Sequence, residues 1–394
     1  MRILLNAVSA KMGGAANYIK NLAVELAGHG SEHEFIFLTP EAQAKSIRAL
    51  APNIRVVVTN VGHAGIGARL WFDNVTLRRL IREEKIDVLF STANFAMFWC
   101  PCRQVLLIRN ALHFSPMYAR KLLAGKAMSR RLENSLRRRL ICQSAKAADI
   151  VMTPSKSMLD DLRLWCFVPH EKSLVNYYGV NAALLQAARR SSGNDSSSLP
   201  SRLLYTSLYA EHKNVTTLLR ALLELVRGGT DCHLVTTADP NWEQASWTST
   251  WKEDALLAAS PELFQHLEFK SPCTVEETAA LYRGADVFVY PSAVESFGHP
   301  LVEAMAVGLP IVVADAPVNR ELCRDAAIYF SPFDPAGFAQ QIRRVLEDRQ
   351  LRSCLIDAGL RRSREFSWKK HAEILVDTFD RFSSGVTTLK ETER

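Results

Sequence analysis

Two glutamates, Glu295 and Glu303, stand on either side of the point where an apolar run gives way to a helical pattern. Pro300 suits the first turn of that helix, so we expect Glu303 in the same turn. The unpaired N–H groups of a first turn bind anions and hydroxyls. Ionised carboxylates accept hydrogen bonds from sugar and ribose hydroxyls, and Gly298 would let a ligand approach the main chain closely. The stretch therefore predicts a site for a hydroxyl-rich ligand.

Short apolar runs alternate with helical patterns along most of the chain. Strands are predicted at residues 3–5, 35–38, 55–58, 88–90, 105–108, 202–205, 233–235, 287–290 and 311–313, and helices at about 15–27, 73–84, 215–226, 274–282 and 301–307. Short buried strands between helices favour an α/β fold with doubly wound parallel sheets. The polar stretch 191–198 predicts a surface loop beside a link between two domains. Two such domains would place a ligand cleft between the carboxyl ends of their strands.

Length and composition exclude several classes of protein. The 394 residues, with 48% apolar and 23% charged side chains, suit a globular chain of two or three domains, not a collagen, a disordered chain or a disulfide scaffold. No apolar run approaches the ~18 residues that span a bilayer. The N-terminal run 3–5 is interrupted and leads into glycines, which favours a buried strand over a signal peptide.

Eight scattered cysteines, with Cys100 and Cys102 as the only close pair, indicate reduced cytosolic thiols and no zinc site.

Basic residues are concentrated in the first half of the chain. Residues 1–180 contain 25 Lys and Arg against 13 Asp and Glu, and the stretch 117–146 contains nine basic residues and one acid, Glu133. Leucines recur through that stretch at helical spacing, which predicts a basic amphipathic helix or helix pair. A solvated helix face and an anionic membrane surface are both open interpretations. Nucleic acid is not expected as a partner, because no aromatic residues alternate with the basic ones to stack bases.

The sequence ESFGHPLVEAMAVGLPIVVAD, residues 295–315, resembles the signature of the retaining glycosyltransferases of family four. That family has the GT-B architecture, two Rossmann-like domains facing a central cleft. The resemblance continues in residues 285–292, 326–332 and 366–368, and Gly13 and Gly14 look like the family's glycine turn facing the donor diphosphate. It implies an acceptor domain at 1–180, a donor domain at 181–367, and a C-terminal helix and tail at 368–394 that return toward the first domain.

The resemblance also implies roles for individual residues. Glu303 matches the glutamate that binds the nucleotide ribose, and Glu295 the one beside the transferred sugar. Lys213 matches the lysine that neutralises the diphosphate. The main chain at Phe297 and Gly298 matches the amides that hold sugar hydroxyls. His299 and Ser207 complete the donor-binding candidates.

Two departures from the family pattern leave roles unassigned. The family has an arginine shortly before the lysine, whereas residues 206–209 read Thr-Ser-Leu-Tyr, so the second diphosphate cation is unidentified. A His-Asp pair of the first domain is replaced by Arg109 and Asn110. His113 follows three residues on, either as a substitute on the acceptor side or as an ordinary surface or core histidine.

The implied function is transfer of a hexose from a nucleotide-sugar donor to a glycan or lipid-linked glycan, in cell-surface polysaccharide synthesis. Anomeric configuration would be retained by front-face attack, with no metal and no other cofactor. The expected location is cytoplasmic, with the stretch 117–146 resting on the inner face of the membrane. The alternatives are a GT-B hydrolase or epimerase of sugar nucleotides and a catalytically silent binding protein. The sugar, the base, the acceptor and the oligomeric state are open.

Overall fold

The computed structural model describes residues 1–10, 13–29, 32–61, 68, 71–188, 200–241, 248–270 and 273–383. The predicted loop at 191–198 and the tail beyond 383 lie outside these residues. The chain divides into two compact units. One comprises residues 1–119, 123–179 and 367–394, and the other comprises residues 120–122 and 180–366.

The described residues of the first unit form a parallel sheet of seven strands. These are β1 (Arg2–Asn6), β2 (Glu34–Thr39), β3 (Ile54–Val58), β4 (Val88–Ser91), β5 (Arg103–Leu107), β6 (Ile150–Thr153) and β7 (Ser173–Val175). Their order in the sheet is β3-β2-β1-β4-β5-β6-β7. The order reverses between β1 and β4, and ligands of open α/β sheets bind at such a switch point.

Helices flank this sheet. They are α1 (Gly13–Gly28), α2 (Glu41–Ile47), α3 (Leu77–Glu83), α4 (Met128–Ala147) and α5 (Lys156–Arg163). Shorter helical turns lie at Phe72–Thr76, Ala111–His113, Tyr118–Leu123 and His170–Lys172. The predicted helix at 73–84 therefore starts as a π-helical turn and continues as α3. The basic stretch 117–146 forms a short helix followed by α4, one of the two arrangements that its pattern allowed.

The second unit repeats the same plan with six strands. These are β8 (Ser201–Tyr205), β9 (Cys232–Thr236), β10 (Leu267–Phe269), β11 (Val287–Tyr290), β12 (Ile311–Ala314) and β13 (Ala327–Phe330). All neighbours pair in parallel, in the order β10-β9-β8-β11-β12-β13. The switch point lies between β8 and β11. Parallel sheets in both units confirm the α/β prediction.

The helices of the second unit are α6 (Ala182–Ala188), α7 (Val215–Arg227), α8 (Trp251–Ala258), α9 (Val275–Gly284), α10 (His299–Ala306), α11 (Pro317–Cys323), α12 (Pro335–Glu347) and α13 (Arg349–Ser363). Short turns lie at Glu211–Lys213 and Phe264–His266. Thr274 and Glu277 form a capping box at the start of α9, since Thr274 Oγ1 accepts from the amide of Glu277 while the Glu277 carboxylate accepts from the amide of Thr274.

The helix that carries Glu303 starts earlier than the sequence suggested. α10 begins at His299, with Gly298 as its N-cap at φ +96°, a conformation that favours glycine. The expectation that Glu303 lies in the first helical turn is therefore wrong, because the earlier start moves it into the second turn. Pro300 does occupy the first turn, as predicted.

The last helix, α14 (Trp368–Ser383), belongs to the first unit and packs on α1. The hydroxyl of Tyr18 lies 3.0 Å from Nε2 of the fully buried His371, and Nδ1 of His371 lies 3.0 Å from the carbonyl of Tyr177. Asn176 donates to the carbonyl of His371 at 3.1 Å. These buried polar contacts fix the register of α14 against the first unit, because an unmatched partner inside a core is costly.

Within the described residues, no helix is both long and apolar enough to cross a lipid bilayer.

Candidate functional site

The predicted donor residues of the second unit gather at the carboxyl edge of β8 and β11. These two strands are neighbours at the switch point of the sheet. Thr206 and Ser207 directly follow β8, and the loop 291–298 follows β11. Open α/β sheets bind ligands at this edge. The structure therefore brings together residues that are about 90 positions apart in sequence.

A short turn carries Lys213 to the loop that bears Glu295. Asn214, at φ +57° and ψ +42°, ends the turn and starts α7 in the left-handed conformation that asparagine tolerates. Its side chain donates to the carbonyl of Pro291 at 3.2 Å, and the amide of Ala293 donates to the carbonyl of His212 at 3.1 Å. These bonds tie the turn to the loop and fix the position of Lys213.

Lys213 and Glu295 form an ion pair. The ammonium Nζ lies 2.5 Å from Oε1 of Glu295, and both side chains are less than a fifth exposed. The hydroxyl of Tyr290, the last residue of β11, donates to the same oxygen at 2.8 Å. Burial of a cation is favourable only with a partner so placed. Glu295 thus holds Lys213 in a fixed, largely dehydrated position.

The charges of this group shift one another's ionisation. Burial acts to raise the pKa of Glu295, but Lys213 and His212 outweigh it, so the pKa lies below its ordinary value. Burial, with the neighbouring Lys213 ammonium, lowers the pKa of His212 to about 4. At neutral pH the group therefore holds an ionised Glu295 carboxylate and an uncharged His212 imidazole.

Glu303 has a different environment from Glu295. The hydroxyl of Tyr282 donates to its Oε2 at 3.0 Å, and the same hydroxyl lies 3.0 Å from Oγ1 of Thr206. Burial raises the pKa of Glu303 to about 7, against the opposing effect of the Tyr282 hydrogen bond. Two carboxylates of one site thus titrate in different ranges, a pattern found where such groups have separate tasks.

The predicted main-chain contacts, Phe297 and Gly298, lie between Glu295 and Glu303 in the sequence. Phe297 is buried, and its ring centroid lies 5.3 Å from that of His299. A Cβ on Gly298 would lie 3.4 Å from Leu301 Cδ1, and the positive φ of Gly298 would strain any other residue. Ser207 follows β8, with its amide donating to Oγ1 of Thr237 at 2.8 Å. Apart from Gly13 and Gly14, the predicted donor residues therefore share one edge of one unit.

Gly13 and Gly14 lie in the first unit, where they open α1. Gly13 has φ +61°, and the space where a Cβ of Gly14 would be is open. They follow β1, one of the two strands at the switch point of this sheet. The position suits close approach of a ligand to the backbone.

The acceptor-side candidates form a connected group in the first unit. Asn94, at φ +61°, accepts from the amides of Arg109 and Asn110 at 2.9 and 3.2 Å. Nδ2 of Asn110 lies 3.3 Å from Nε2 of His113, whose Nδ1 lies 2.7 Å from Oδ1 of Asn134. Burial lowers the pKa of His113, and both of its ring nitrogens have partners. The structure thus brings Asn110 and His113 into contact, with His113 bound to α4.

Arg109 turns away from that pair. Its guanidinium lies 5.7 Å from the ring centroid of Tyr18, a cation–π arrangement. The structure therefore places the Arg109 guanidinium beside Tyr18, whereas the side chains of Asn110 and His113 contact each other.

Sequence reasoning missed the tyrosines that hold the carboxylates. All three lie at the ends of predicted elements: Tyr282 and Tyr290 donate to Glu303 and Glu295, and Tyr205 donates to the carbonyl of Lys213 at 3.2 Å. For Tyr205 and Tyr290 the available signal was a tyrosine at the carboxyl end of an otherwise apolar strand, because a buried hydroxyl there needs a polar partner; Tyr282 lies on α9 and gave no such signal. Among the described residues, no group of three or more His, Cys, Asp and Glu side chains could hold a metal ion.

Two family models match the chain, one in each half. The model of "Glycosyltransferase Family 4" matches residues 12–184, and the model of "Glycosyl transferases group 1" matches residues 194–362. The two matches lie side by side and leave only the ends and a short middle segment outside.

Curated relatives match over shorter stretches. A D-inositol 3-phosphate glycosyltransferase of Salinispora tropica is 34% identical over 125 residues, which are 31% of this chain and 26% of the relative. The serotype-specific mannosyltransferase WbdA of Escherichia coli is 26% identical over 250 residues, 60% of this chain and 28% of the relative. The matches thus span only about a quarter of the length of these relatives.

Solved structures match over nearly the whole length. Sucrose-phosphate synthase from Thermosynechococcus elongatus has a TM-score of 0.78 at 16% identity, with 98% of this chain and 100% of that chain covered. Anabaena HepE, crystallised with UDP-glucose, has a TM-score of 0.73 at 17% identity, with 96% and 99% covered. At these identities the likeness shows the shared fold.

Proposed function

The chain belongs to glycosyltransferase family 4, and on that premise we propose that it transfers a hexose from a nucleotide-sugar donor to a glycan or lipid-linked glycan. One observation carries the proposal: four groups share the carboxyl edge of β8 and β11. They are the mostly buried Lys213, the carboxylates Glu295 and Glu303, whose pKa values are shifted in opposite directions, and the N-terminus of α10, which begins after Gly298. A nucleotide sugar presents a diphosphate, a ribose and a sugar ring, and this edge offers a complementary group for each.

Lys213 has the task of stabilising the leaving diphosphate. Negative charge grows on the nucleoside diphosphate as the sugar–phosphate bond breaks, and a fixed cation favours that state without reorganisation. The partly positive N-terminus of α10 acts in the same direction. Because Lys213 is already ordered by Glu295 at 2.5 Å, little side-chain entropy is lost when the donor binds.

The two glutamates are assigned to the two sugars of the donor. Glu303 would accept hydrogen bonds from the ribose hydroxyls, while the hydrogen bond from the Tyr282 hydroxyl fixes the orientation of its carboxylate. Glu295 would lie beside the transferred sugar, with the main chain at Phe297 and Gly298 holding sugar hydroxyls. His299, Ser207, Gly13 and Gly14 are further donor contacts in this proposal.

The reaction proposed is retaining. The acceptor hydroxyl attacks from the face that the diphosphate leaves, and a donor phosphate oxygen takes the acceptor proton, so no covalent protein nucleophile is required. Lys213 and the helix N-terminus supply the charge stabilisation that a divalent metal supplies in other enzymes. HepE, crystallised with UDP-glucose, supports a nucleotide-sugar donor. Asn110, His113 and Arg109 are the candidates for acceptor contacts.

We place the reaction at the cytoplasmic face of an anionic membrane, in cell-surface polysaccharide synthesis. The mannosyltransferases of Escherichia coli named for serotype and O-antigen support a glycan acceptor. The structure supports membrane contact in one respect, because α4 leaves four large apolar side chains exposed beside its basic residues: Met128, Leu132, Leu136 and Leu140. An amphipathic helix whose apolar stripe faces outward suits an interfacial surface better than a solvated face.

A donor screen tests the proposal. UDP-, GDP- and dTDP-sugars are compared for thermal stabilisation and for donor consumption, because a tight ligand of the folded state raises apparent stability by mass action. Transfer to an acceptor supports the proposal. Hydrolysis or epimerisation without transfer would identify the alternative enzymes, and binding without turnover would identify a silent protein.

A further inference from the structure

A pocket of about 370 Å³ opens in the first unit between α4 and the segment that follows α5. Its lining is basic and aromatic, with Ser135, Arg138, Arg139, Gln143, Lys146 and Trp165 among its residues. Among the described residues, no Asp or Glu lines it. Within the described part of the chain, the ion pairs involve neither Arg138, Arg139 nor Lys146, whereas the neighbouring Arg137 is paired with Glu133 at 2.7 Å. Three cations without a carboxylate partner around one concave surface favour the binding of an anion.

The wall opposite α4 is rigid. The indole Nε1 of Trp165 donates to the carbonyl of Phe114 at 2.8 Å, and the guanidinium of Arg138 lies 3.5 Å from the centroid of the Trp165 ring. This cation–π contact holds Arg138 at the pocket instead of letting it extend into water. The site is therefore ordered before any ligand arrives, which lowers the entropic cost of binding.

The rim of the pocket is apolar and exposed. Phe167 belongs to the lining contributed by the segment after α5 and is 79% exposed, and Leu164, at the start of the same segment, is 65% exposed. On α4, Leu132, Leu136 and Leu140 recur every fourth residue and are also exposed, next to Arg139 and Lys146. A row of cations thus lies between two exposed apolar edges.

We propose that this pocket binds the phosphate head group of an anionic membrane lipid, while Phe167, Leu164 and the leucine stripe of α4 enter the apolar part of the same leaflet. The inference rests on the membrane part of the proposed function and adds a specific lipid site to it. A lipid is the occupant that needs both an anion site and an apolar rim. A soluble phosphate would leave Phe167 and Leu164 as exposed as they are in the free protein, whereas a lipid would bury them, with a gain proportional to the apolar area removed from water.

The test compares a soluble phosphate lipid, dihexanoyl phosphatidic acid below its micelle concentration, with inorganic phosphate. Three proteins are titrated by calorimetry: wild type, a pocket variant and a control. The pocket variant is Arg139→Gln with Lys146→Gln, and the control, Arg131→Gln with Arg137→Gln, removes the same charge from α4 outside the pocket. Because it removes two of the three cations at the pocket, the pocket variant should bind the short-chain lipid about 25-fold more weakly. The control should stay within about twofold of wild type, the ~0.4 kcal/mol expected of long-range charge alone.

Vesicles of phosphatidylcholine with phosphatidic acid form the second arm, and Leu164→Ser with Phe167→Ser is its variant. We expect that variant to lose vesicle binding and to bind the short-chain lipid only as tightly as wild type binds inorganic phosphate, because the apolar rim is what separates the two ligands. If the pocket variant and the control lose affinity for the short-chain lipid equally, binding depends only on the total charge of α4, and the proposal is wrong. Equal affinity for inorganic phosphate and the short-chain lipid would overturn it in favour of a free-phosphate site. Vesicle binding without any binding of the short-chain lipid would show that the protein contacts membranes but that the pocket is not a lipid site, which would overturn the proposal. Donor consumption, measured in parallel, reports separately on the catalytic proposal.

Discussion

Lys213 and Glu295 are 82 residues apart in the sequence, yet the ammonium of one lies 2.5 Å from a carboxylate oxygen of the other. The contact exists because β8 and β11 are neighbours at the switch point, so the turn after one strand meets the loop after the other. In the proposed reaction the same lysine must serve the donor diphosphate. Glu295 therefore acts as its counter-ion before the donor binds.

Glu295→Gln is expected to lower kcat/KM roughly 10- to 150-fold while the fold persists. A hydrogen bond to a charged group contributes about 1.5–3 kcal/mol, and the amide removes the charge but keeps the shape. Steady-state kinetics on the preferred donor measure the effect. Glu276→Gln, an exposed glutamate on α9, is the matched control and should retain wild-type kinetics. An unchanged kcat/KM for Glu295→Gln would refute its role.

Donor binding is expected to weaken as the pH falls through 7. The pKa of Glu303 is raised to about 7, so its ionised form, which accepts from ribose hydroxyls, predominates above that pH and is lost below it. Apparent KM for the donor should rise about tenfold between pH 8 and pH 6, since the ionised fraction falls by about that factor. Glu303→Gln should give a higher KM that does not vary over this interval. A flat wild-type profile would show that ionised Glu303 does not contact the donor.

The sequence alone predicted the two-sheet architecture, because parallel strands buried on both faces appear as short apolar runs between helices. It also singled out Lys213, Glu295 and Glu303, whose local context is distinctive. Contacts between distant segments were not predictable in the same way. The hydrogen bonds of Tyr282 to Glu303 and of Tyr290 to Glu295 depend on side-chain directions at the edge of a folded sheet.

The basic stretch 117–146 is a second case in which the sequence pattern did not determine the packing. Its composition predicted an amphipathic helix, and a helical pattern normally implies that the apolar side is buried. In α4 the residues that face the core are instead Ile141, Cys142, Ser144 and Ala145, while the leucine stripe is exposed. Which of two faces a helix buries depends on what packs against it, and periodicity carries no such information.

Gly179→Ala is expected to destabilise the first unit. A Cβ at Gly179 would overlap the backbone nitrogen of Trp368 and lie 2.6 Å from the carbonyl carbon of Ser367, and a backbone cannot move aside as a flexible side chain can. Overpacking of this kind costs about 1–3 kcal/mol. Thermal unfolding followed by circular dichroism measures it. Gly125→Ala, where no atom lies within 4 Å of the added carbon, is the control and should unfold like wild type.

Activity is expected to survive removal of divalent cations. In the proposed mechanism Lys213 and the N-terminus of α10 offset the charge of the diphosphate, so no metal ion is required. Donor consumption is measured in excess EDTA and again after Mg²⁺ or Mn²⁺ is restored. Complete loss in EDTA with recovery on adding metal would mean that the diphosphate is neutralised by a bound cation instead.

Release of nucleoside diphosphate from a panel of UDP-, GDP- and dTDP-sugars, compared between wild type and Lys213→Ala, tests the catalytic account most directly. Lys252→Ala removes an exposed lysine of the same unit and is the control. We predict that wild type and the control consume one donor class, with transfer of its sugar to membrane-derived acceptor. The folded Lys213→Ala protein should be about 10²–10³-fold slower, the loss expected when one charge-stabilising contact is removed. Wild-type turnover by folded Lys213→Ala, or no consumption of any donor by wild type, would contradict the account.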